Sequence, residues 1–161
     1  MVRYNAAVIP AVNQPLVIKT INASHPGYGQ VLVRISVSGI CGAQLQEIRG
    51  HKNNVRFMPH LLGHEGCGIV QEIGPGVSKV KPGDKVVMHW RTAPGIESAF
   101  PRYILDGKSI TGGKVTSLCE ECIASENRLT VVPVDTPDEL CALLGCSMTT
   151  ALGTIDNDCN L

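Results

Sequence analysis

Alternating apolar and polar residues along the chain predict a fold made mainly of short β-strands. The clearest alternation covers 31–38, where every second residue is apolar, which is the period of a strand with one buried face. Shorter apolar stretches at 68–73, 85–88 and 126–134 predict further strands. The fold class that follows is mainly β.

Glycine, proline and aspartate residues mark turns between these strands. Gly-Pro-Gly at 74–76 predicts a turn, and Lys-Pro-Gly-Asp at 81–84 predicts a type II turn with Pro and Gly at its central positions. Asp106 and Gly107 separate two short segments, which predicts a two-residue hairpin over 103–110. Strands with turns about every ten residues favour a partly open β-barrel.

The C-terminal part of the chain predicts helices instead. Thr136 is suited to an N-cap, acidic residues follow it, and the apolar run 140–144 predicts a short helix that stops near Gly145. A second helix is predicted to begin within 148–152. The expected architecture is therefore a β-barrel with a few short helices.

Composition and charge exclude several classes of partner. Apolar residues make up 43% of the chain and charged residues 17%, and 14 basic residues balance 14 acidic ones. A neutral surface has no general attraction for nucleic acid or an anionic membrane, and no apolar run approaches the roughly 20 residues of a membrane span. The N-terminus lacks the pattern of a secretion signal. We therefore expect a cytoplasmic protein with neither nucleic acid nor membrane as a partner.

Candidate chemistry begins with seven cysteines and a His-Glu pair. Inside a cell, such cysteines are expected to be free buried thiols or metal ligands. The segment Gly-His-Glu-Gly-Cys-Gly at 63–68 places the His-Glu pair at the start of a predicted strand. It differs from the helical H-E-x-x-H motif, because Glu65 lies outside the pair His60 and His64. Alone, the segment is typical of either a metal ligand or a structural pair.

Four motifs in order say more than any one of them. They are Gly-Ile-Cys-Gly at 39–42, Gly-His-Glu-Gly at 63–66, Lys-Pro-Gly-Asp-Lys-Val-Val at 81–87 and Gly-Cys at 145–146. Their order and spacing resemble those of the zinc-containing medium-chain alcohol dehydrogenases, from residue 31 to the end. The resemblance implies a GroES-like catalytic domain and one catalytic zinc. Its ligands would be Cys41, His64 and Cys146, with Glu65 beside the metal as a neighbouring or exchanging ligand.

The residue types agree with that chemistry. Two thiolates and one imidazole leave a fourth position open, which is the pattern of a catalytic zinc, and zinc there would act as a Lewis acid on an alcohol. The resemblance implies oxidation of a small alcohol to a carbonyl compound by hydride transfer to NAD(P), in a homo-oligomer when full length. It also places Trp90 in the substrate pocket. The alternative is a Trp that fills the core of an aromatic-poor domain.

Three positions depart from the family pattern. Ala43 stands where the family has a hydroxyl residue that relays the substrate proton. Gln44 stands where the family has an Asp that orients the zinc-bound His. Gln46 stands where the family often has a further His. Glu65, His51 or water would then relay the proton, or turnover of simple alcohols would be poor. A non-catalytic GroES-like module that binds a metal or a partner is therefore the alternative function.

The remaining cysteines are not expected to form a second metal site. Cys119 and Cys122 lie three residues apart in a predicted strand, so their sulfurs should point to opposite faces. The segment 88–115, where the family has a four-cysteine structural zinc lobe, contains no cysteine. Structural zinc is therefore not expected. The other three are expected to be small buried or partly exposed thiols: Cys67, Cys141 and Cys159.

No Gly-x-Gly-x-x-Gly motif of a dinucleotide-binding Rossmann domain follows a strand in this sequence. We therefore expect 1–161 to be the N-terminal catalytic part of the enzyme, inactive alone, with the Rossmann domain absent. NAD(P) would bind only with that missing domain. A third reading, the zinc-free quinone reductase branch of the same fold, would not be expected to keep Cys41, His64 and Cys146 together.

Overall fold

The computed structural model describes residues 1–53 and 55–159 of the chain. Ten strands lie in this part: β1 Val2–Ile9, β2 Val17–Ala23, β3 Gln30–Ser38, β4 His60–Leu61, β5 Glu65–Ile73, β6 Lys85–His89, β7 Tyr103–Leu105, β8 Lys108–Ile110, β9 Glu121–Ser125 and β10 Leu129–Val131. The helices are α1 Gly42–Ile48, α2 Asp138–Leu144 and α3 Ser147–Asp158. In the described residues, no helix has the length and apolar character needed to span a membrane. The prediction of a mainly β fold with a few short helices is confirmed.

The strands form two antiparallel sheets of five strands each. One sheet has the order β4-β1-β2-β7-β8, and the other has the order β10-β6-β5-β3-β9. The helix α2 packs on β5, β3 and β6 of the second sheet. Because β3 and β5 are antiparallel neighbours, the segment after β3 and the segment before β5 lie at the same end of these strands.

The strand β3 and its neighbour β9, which is the last strand of the second sheet, are buried on both faces along residues 31–33 and 122–124. Val31 and Val33 pack in one core cluster, whereas Leu32 packs in the other, with residues of β1 and β2. Strand β9 divides in the same way, since Ile123 lies in the cluster of Leu32 and Ala124 lies in the cluster of Val31. The prediction of a single buried face over 31–38 is therefore wrong for residues 31–33, where a continuous apolar run fits a strand covered on both sides.

The predicted turns are confirmed. The amide of Asp84 donates to the carbonyl of Lys81 at 3.1 Å, and Gly83 has φ +92°. In the hairpin between β7 and β8, Asp106 has φ 48° and Gly107 has φ 76°, which is the left-handed pair of a type I′ turn. Residues within the turns therefore determine the backbone conformation of these turns.

The predicted strand 126–134 is wrong in its first part. Residues Glu126–Arg128 form a 3-10 turn, and only Leu129–Val131 is a strand. The physical reason is the buried carboxylate of Glu126, which accepts the amides of Ser78 at 2.8 Å and Ile96 at 2.9 Å. Two distant loops thus fix this residue.

The C-terminal helices are confirmed with shifted starts. The first of them, α2, is capped by Pro137 rather than by Thr136, and it ends at Gly145 as predicted. The second, α3, begins at Ser147, one residue before the predicted segment, and runs to Asp158. Two acidic residues lie in the first turn of α2, where the positive end of the helix dipole favours them.

Candidate metal centre

Two thiols and one imidazole from three separate segments converge at one point of the fold. One ligand atom each from Cys41, His64 and Cys146 lie within 4.8 Å of one another. The sulfurs of Cys41 and Cys146 are 3.9 Å apart. All three side chains are half-buried. The structure therefore brings together the three residues that the motifs singled out.

Cys41 is held by the start of helix α1. It is the N-cap residue, with extended backbone angles of φ −99° and ψ 152°. Its amide donates to Oε1 of Gln44 at 2.5 Å, and the two residues form a capping box. Gln44 is buried, and its Nε2 has no hydrogen-bond partner among the described residues. Its acceptor oxygen thus serves the backbone of Cys41.

His64 follows a glycine that the fold requires. Gly63 has φ +106°, and a Cβ at this position would lie 2.6 Å from the backbone nitrogens of Ser117 and Leu118. Burial lowers the pKa of His64, and the nearby carboxylate of Glu65 opposes the shift. The imidazole is therefore neutral near pH 7, which is the form that binds a metal ion.

Cys146 lies between helices α2 and α3, next to another required glycine. A Cβ on Gly145 would lie 2.2 Å from the carbonyl oxygen of Met88 and 2.9 Å from Cβ of Glu65. Gly145 thus allows the α2–α3 junction to approach strands β5 and β6. Burial raises the pKa of the Cys146 thiol, and the neighbouring Cys41 raises it further. A metal ion that binds here has to displace the thiol proton.

Glu65 is next to this cluster in the chain but is not one of its three converging residues. Its side chain is fully buried. The carboxylate accepts the amide of Ser147 at 3.1 Å and the Ser147 hydroxyl at 3.0 and 3.2 Å. The carboxylate of Glu65 therefore contacts the residue that follows Cys146.

Trp90 does not fill the core, so that alternative is wrong. The side chain is 51% exposed, and the guanidinium of Arg91 lies 5.9 Å from the centre of its ring. The preceding residue, His89, bonds the carbonyl of Arg91 at 2.7 Å and the hydroxyl of Thr130 at 3.0 Å. Both ring nitrogens of His89 are therefore engaged, whereas the indole of Trp90 is accessible.

A groove of 1010 Å³ lies elsewhere on the described surface. The hairpin of β7 and β8 lines one side of it, together with Arg102, and residues 56–60 line another. None of the three converging residues lines this groove. Its walls carry both basic and acidic side chains, among them Arg56 and Asp106.

The prediction that the sulfurs of Cys119 and Cys122 diverge is wrong. Both thiols contact Thr116, because the sulfur of Cys122 accepts its amide at 3.4 Å and the sulfur of Cys119 lies against its carbonyl oxygen. Cys119 precedes β9 rather than lying in it, so the alternation of a strand does not apply between the two positions. Its thiol donates to the carbonyl of Thr116 at 2.6 Å.

Sequence reasoning also missed a contact between two further cysteines. Cys67 and Cys141 lie together in a small buried cluster, and burial raises the pKa of Cys67 to about 12. Cys159 is exposed. Cys67 and Cys141 lie far apart in the chain, and no motif in the sequence connects them.

A match to a known family accompanies this geometry. The family described as the alcohol dehydrogenase GroES-like domain matches residues 27–136. An alcohol dehydrogenase from Geobacillus stearothermophilus is 31% identical over 151 residues, which cover 88% of this chain and 44% of that protein. An S-(hydroxymethyl)glutathione dehydrogenase from Photobacterium damsela subsp. piscicida is 30% identical, covering 94% of this chain and 48% of that protein. The chain spans about half the length of these curated relatives.

The fold is also that of a solved structure. The crystal structure of an alcohol dehydrogenase zinc-binding domain protein from Burkholderia ambifaria matches with a TM-score of 0.85 at 24% identity, over 97% of this chain and 49% of that chain. This likeness confirms the predicted GroES-like, partly open β-barrel. Since the family match covers more than half of the sequence, the chain belongs to the alcohol dehydrogenase GroES-like domain family.

Proposed function

We propose that Cys41, His64 and Cys146 hold one catalytic zinc ion, and that residues 1–161 are the catalytic domain of an NAD(P)-linked alcohol dehydrogenase. The observation that carries this proposal is the convergence of two thiols and one imidazole within 4.8 Å. The outermost two of these residues, Cys41 and Cys146, are 105 residues apart in the chain. Each of the three is placed by its own turn or helix start, so their convergence depends on three separate local structures.

The donor set fits zinc. Two sulfurs bound to a tetrahedral zinc at about 2.3 Å each are about 3.8 Å apart. The sulfurs of Cys41 and Cys146 are 3.9 Å apart, so they need almost no movement to bind the ion. Three protein ligands leave one tetrahedral position for a substrate, which supports a catalytic rather than a structural site.

The residues of this chain hold and neutralise the site. The thiolates of Cys41 and Cys146 would offset the charge of the ion, while His64 binds as a neutral imidazole. When bound, zinc supplies a Lewis acid that favours loss of the proton from an alcohol. Trp90, which is half-exposed, would offer an apolar surface to the substrate.

The relatives support a class of substrate. The named relatives are alcohol and S-(hydroxymethyl)glutathione dehydrogenases, which supports a small alcohol or carbonyl compound as the substrate. The NAD(P) site and the contacts of a homo-oligomer would belong to a further domain. A cytoplasmic location is supported by seven free cysteines.

A non-catalytic metal-binding module is the second candidate, and the sequence around α1 favours it. Ala43 has no hydroxyl, and Gln44 uses its acceptor oxygen on the amide of Cys41. Ala43 therefore cannot relay a substrate proton, and the acceptor oxygen of Gln44 is engaged with Cys41 rather than with His64. Alcohol oxidation by a longer chain with a cofactor domain would support the enzyme, and zinc binding without turnover would support the module.

Zinc content tests the proposed site directly. Elemental analysis of protein purified without chelator should find about one zinc per chain, and Cys41→Ala should lose it. Cys159→Ala is the matched control, because Cys159 is exposed and outside the cluster. Well-folded wild-type protein without zinc would contradict the ligand assignment.

A further inference from the structure

We propose that Ser147 is a positioning residue, which together with Glu65 fixes the first turn of α3 and thereby holds Cys146 in place to bind zinc. This inference rests on the proposed zinc site. It assigns a role to a residue that the motifs did not single out. Ser147 does not touch the metal and acts only through its neighbours.

The first step is the contact between the two residues. Both the amide and the hydroxyl of Ser147 donate to the carboxylate of Glu65, at distances of 3.0 to 3.2 Å. Ser147 is the first residue of α3, and Cys146, its N-cap, makes no side-chain cap bond. The first amides of a helix have no partner within the helix. The carboxylate of Glu65 supplies one from another part of the chain, at the end of the helix that favours negative charge.

The second step is that Glu65 itself cannot move far. Its side chain is 0% exposed, and a Cβ on Gly39 would lie 2.7 Å from its Cγ and Cδ. Its carbonyl oxygen accepts the hydroxyl of Ser117 at 2.8 Å and the amide of Gly39 at 3.2 Å. Glu65 is therefore a fixed anchor rather than a flexible surface group.

The third step is that this anchor joins all three ligand segments. Glu65 follows His64 directly, Gly39 precedes Cys41 by two residues, and Ser147 follows Cys146. Cys146 is held from the α2 side by the close packing of Gly145. On the α3 side it is held through Ser147, because helix α3 has no buried residue of its own. The bond between Ser147 and Glu65 thus compensates for weak packing at this end of the site.

The consequence is that Ser147 prepares the site before the metal binds. With the hydroxyl removed, the carboxylate keeps only the amide bond, and Cys146 can move relative to His64. Loss of a partner that supports a metal ligand typically weakens metal binding about 10-fold to 100-fold. Since the amide bond remains in Ser147→Ala, we expect the lower end of that range.

Zinc affinity measured by competition with a chromophoric chelator tests the proposal on the 161-residue chain. We expect Ser147→Ala to bind zinc about 10-fold more weakly, and Ser147→Thr, which keeps the hydroxyl, to bind it nearly as well as wild type. Thr154→Ala is the matched control, because this hydroxyl bonds only the carbonyl of Thr150 within α3. The urea midpoint of the metal-free variants shows whether each is folded.

The outcomes separate the two proposals. Equal zinc affinity of Ser147→Ala and wild type would overturn the positioning role and leave the zinc site intact. A wild-type chain that binds no zinc would overturn both. A metal-free readout is the amide resonance of Ser147, which should shift in Glu65→Gln and stay in place in Thr154→Ala. An unchanged resonance in Glu65→Gln would contradict the bond itself.

Discussion

Replacing Gly63 by alanine should be among the most damaging single changes near the site. A Cβ here would lie 2.5 Å from the hydroxyl oxygen of Ser117 and 2.6 Å from two backbone nitrogens. Backbone atoms cannot rotate away as a side chain can, so the strand β5 or the segment of Ser117 has to shift. The angle of φ +106° also disfavours any residue with a Cβ.

The two costs can be estimated separately. A residue with a side chain at positive φ costs about 1–3 kcal/mol, and overpacking a dense interior costs about 1–3 kcal/mol more. Gly113 provides the matched control, since its φ is +90° but a Cβ there would meet nothing within 4 Å. We therefore expect Gly113→Ala to lose about 1–2 kcal/mol of unfolding free energy and Gly63→Ala to lose about 3–5 kcal/mol.

Urea denaturation followed by circular dichroism measures both variants against wild type. The expected result is a larger drop in the urea midpoint for Gly63→Ala, accompanied by loss of zinc from His64. Equal losses for the two variants would refute the reasoning, because they would show that only the backbone angle matters and that the close approach to Ser117 is not rigid.

Two further predictions concern charge and capping. The guanidinium of Arg128 donates hydrogen bonds to Glu97 and lowers the pKa of its carboxyl from 4.5 to about 2. Burial opposes this shift, and a hydrogen bond from Lys114 adds to it. As the pH falls, the carboxylate of Glu97 is therefore protonated at a higher pH in the unfolded chain than in the folded one. Its contribution to stability is full above about pH 4.5 and is lost as the pH falls towards 2. Glu97 is 36% exposed, so solvent screening reduces the effect to about 1 kcal/mol. Unfolding curves of wild type and Glu97→Gln should differ by that amount at pH 7 and converge near pH 2, and a constant difference would contradict the assignment. Gln44→Met keeps the volume but removes the acceptor for the amide of Cys41, so it should cost about 1 kcal/mol in urea denaturation, and an unchanged midpoint would mean that the capping bond contributes nothing.

Most of the strands and turns could be predicted because their signals are local. The alternation over 31–38, the type II turn at 81–84 and the hairpin over 103–110 each depend on residues next to one another. The 3-10 turn at Glu126 could not be predicted in this way. It depends on a carboxylate that bonds amides 30 and 48 residues away in the chain.

The site divides in the same way. The motifs identified Cys41, His64 and Cys146 in advance, and the structure shows that they converge. Ser147 could not be singled out in advance, because a serine at the start of a helix is common. A buried glutamate next to a proposed ligand needs a donor for its oxygens. This signal appears only once the burial of Glu65 is known. The donor lies 82 residues away.

X-ray absorption at the zinc edge identifies the atoms bound to the metal and thereby tests the proposed ligand set. For the zinc-loaded chain, we expect two sulfur ligands at about 2.3 Å and nitrogen or oxygen ligands at about 2.0–2.1 Å, with one sulfur lost in Cys146→Ser. A first shell of four sulfurs, or one without sulfur, would contradict the assignment of Cys41, His64 and Cys146.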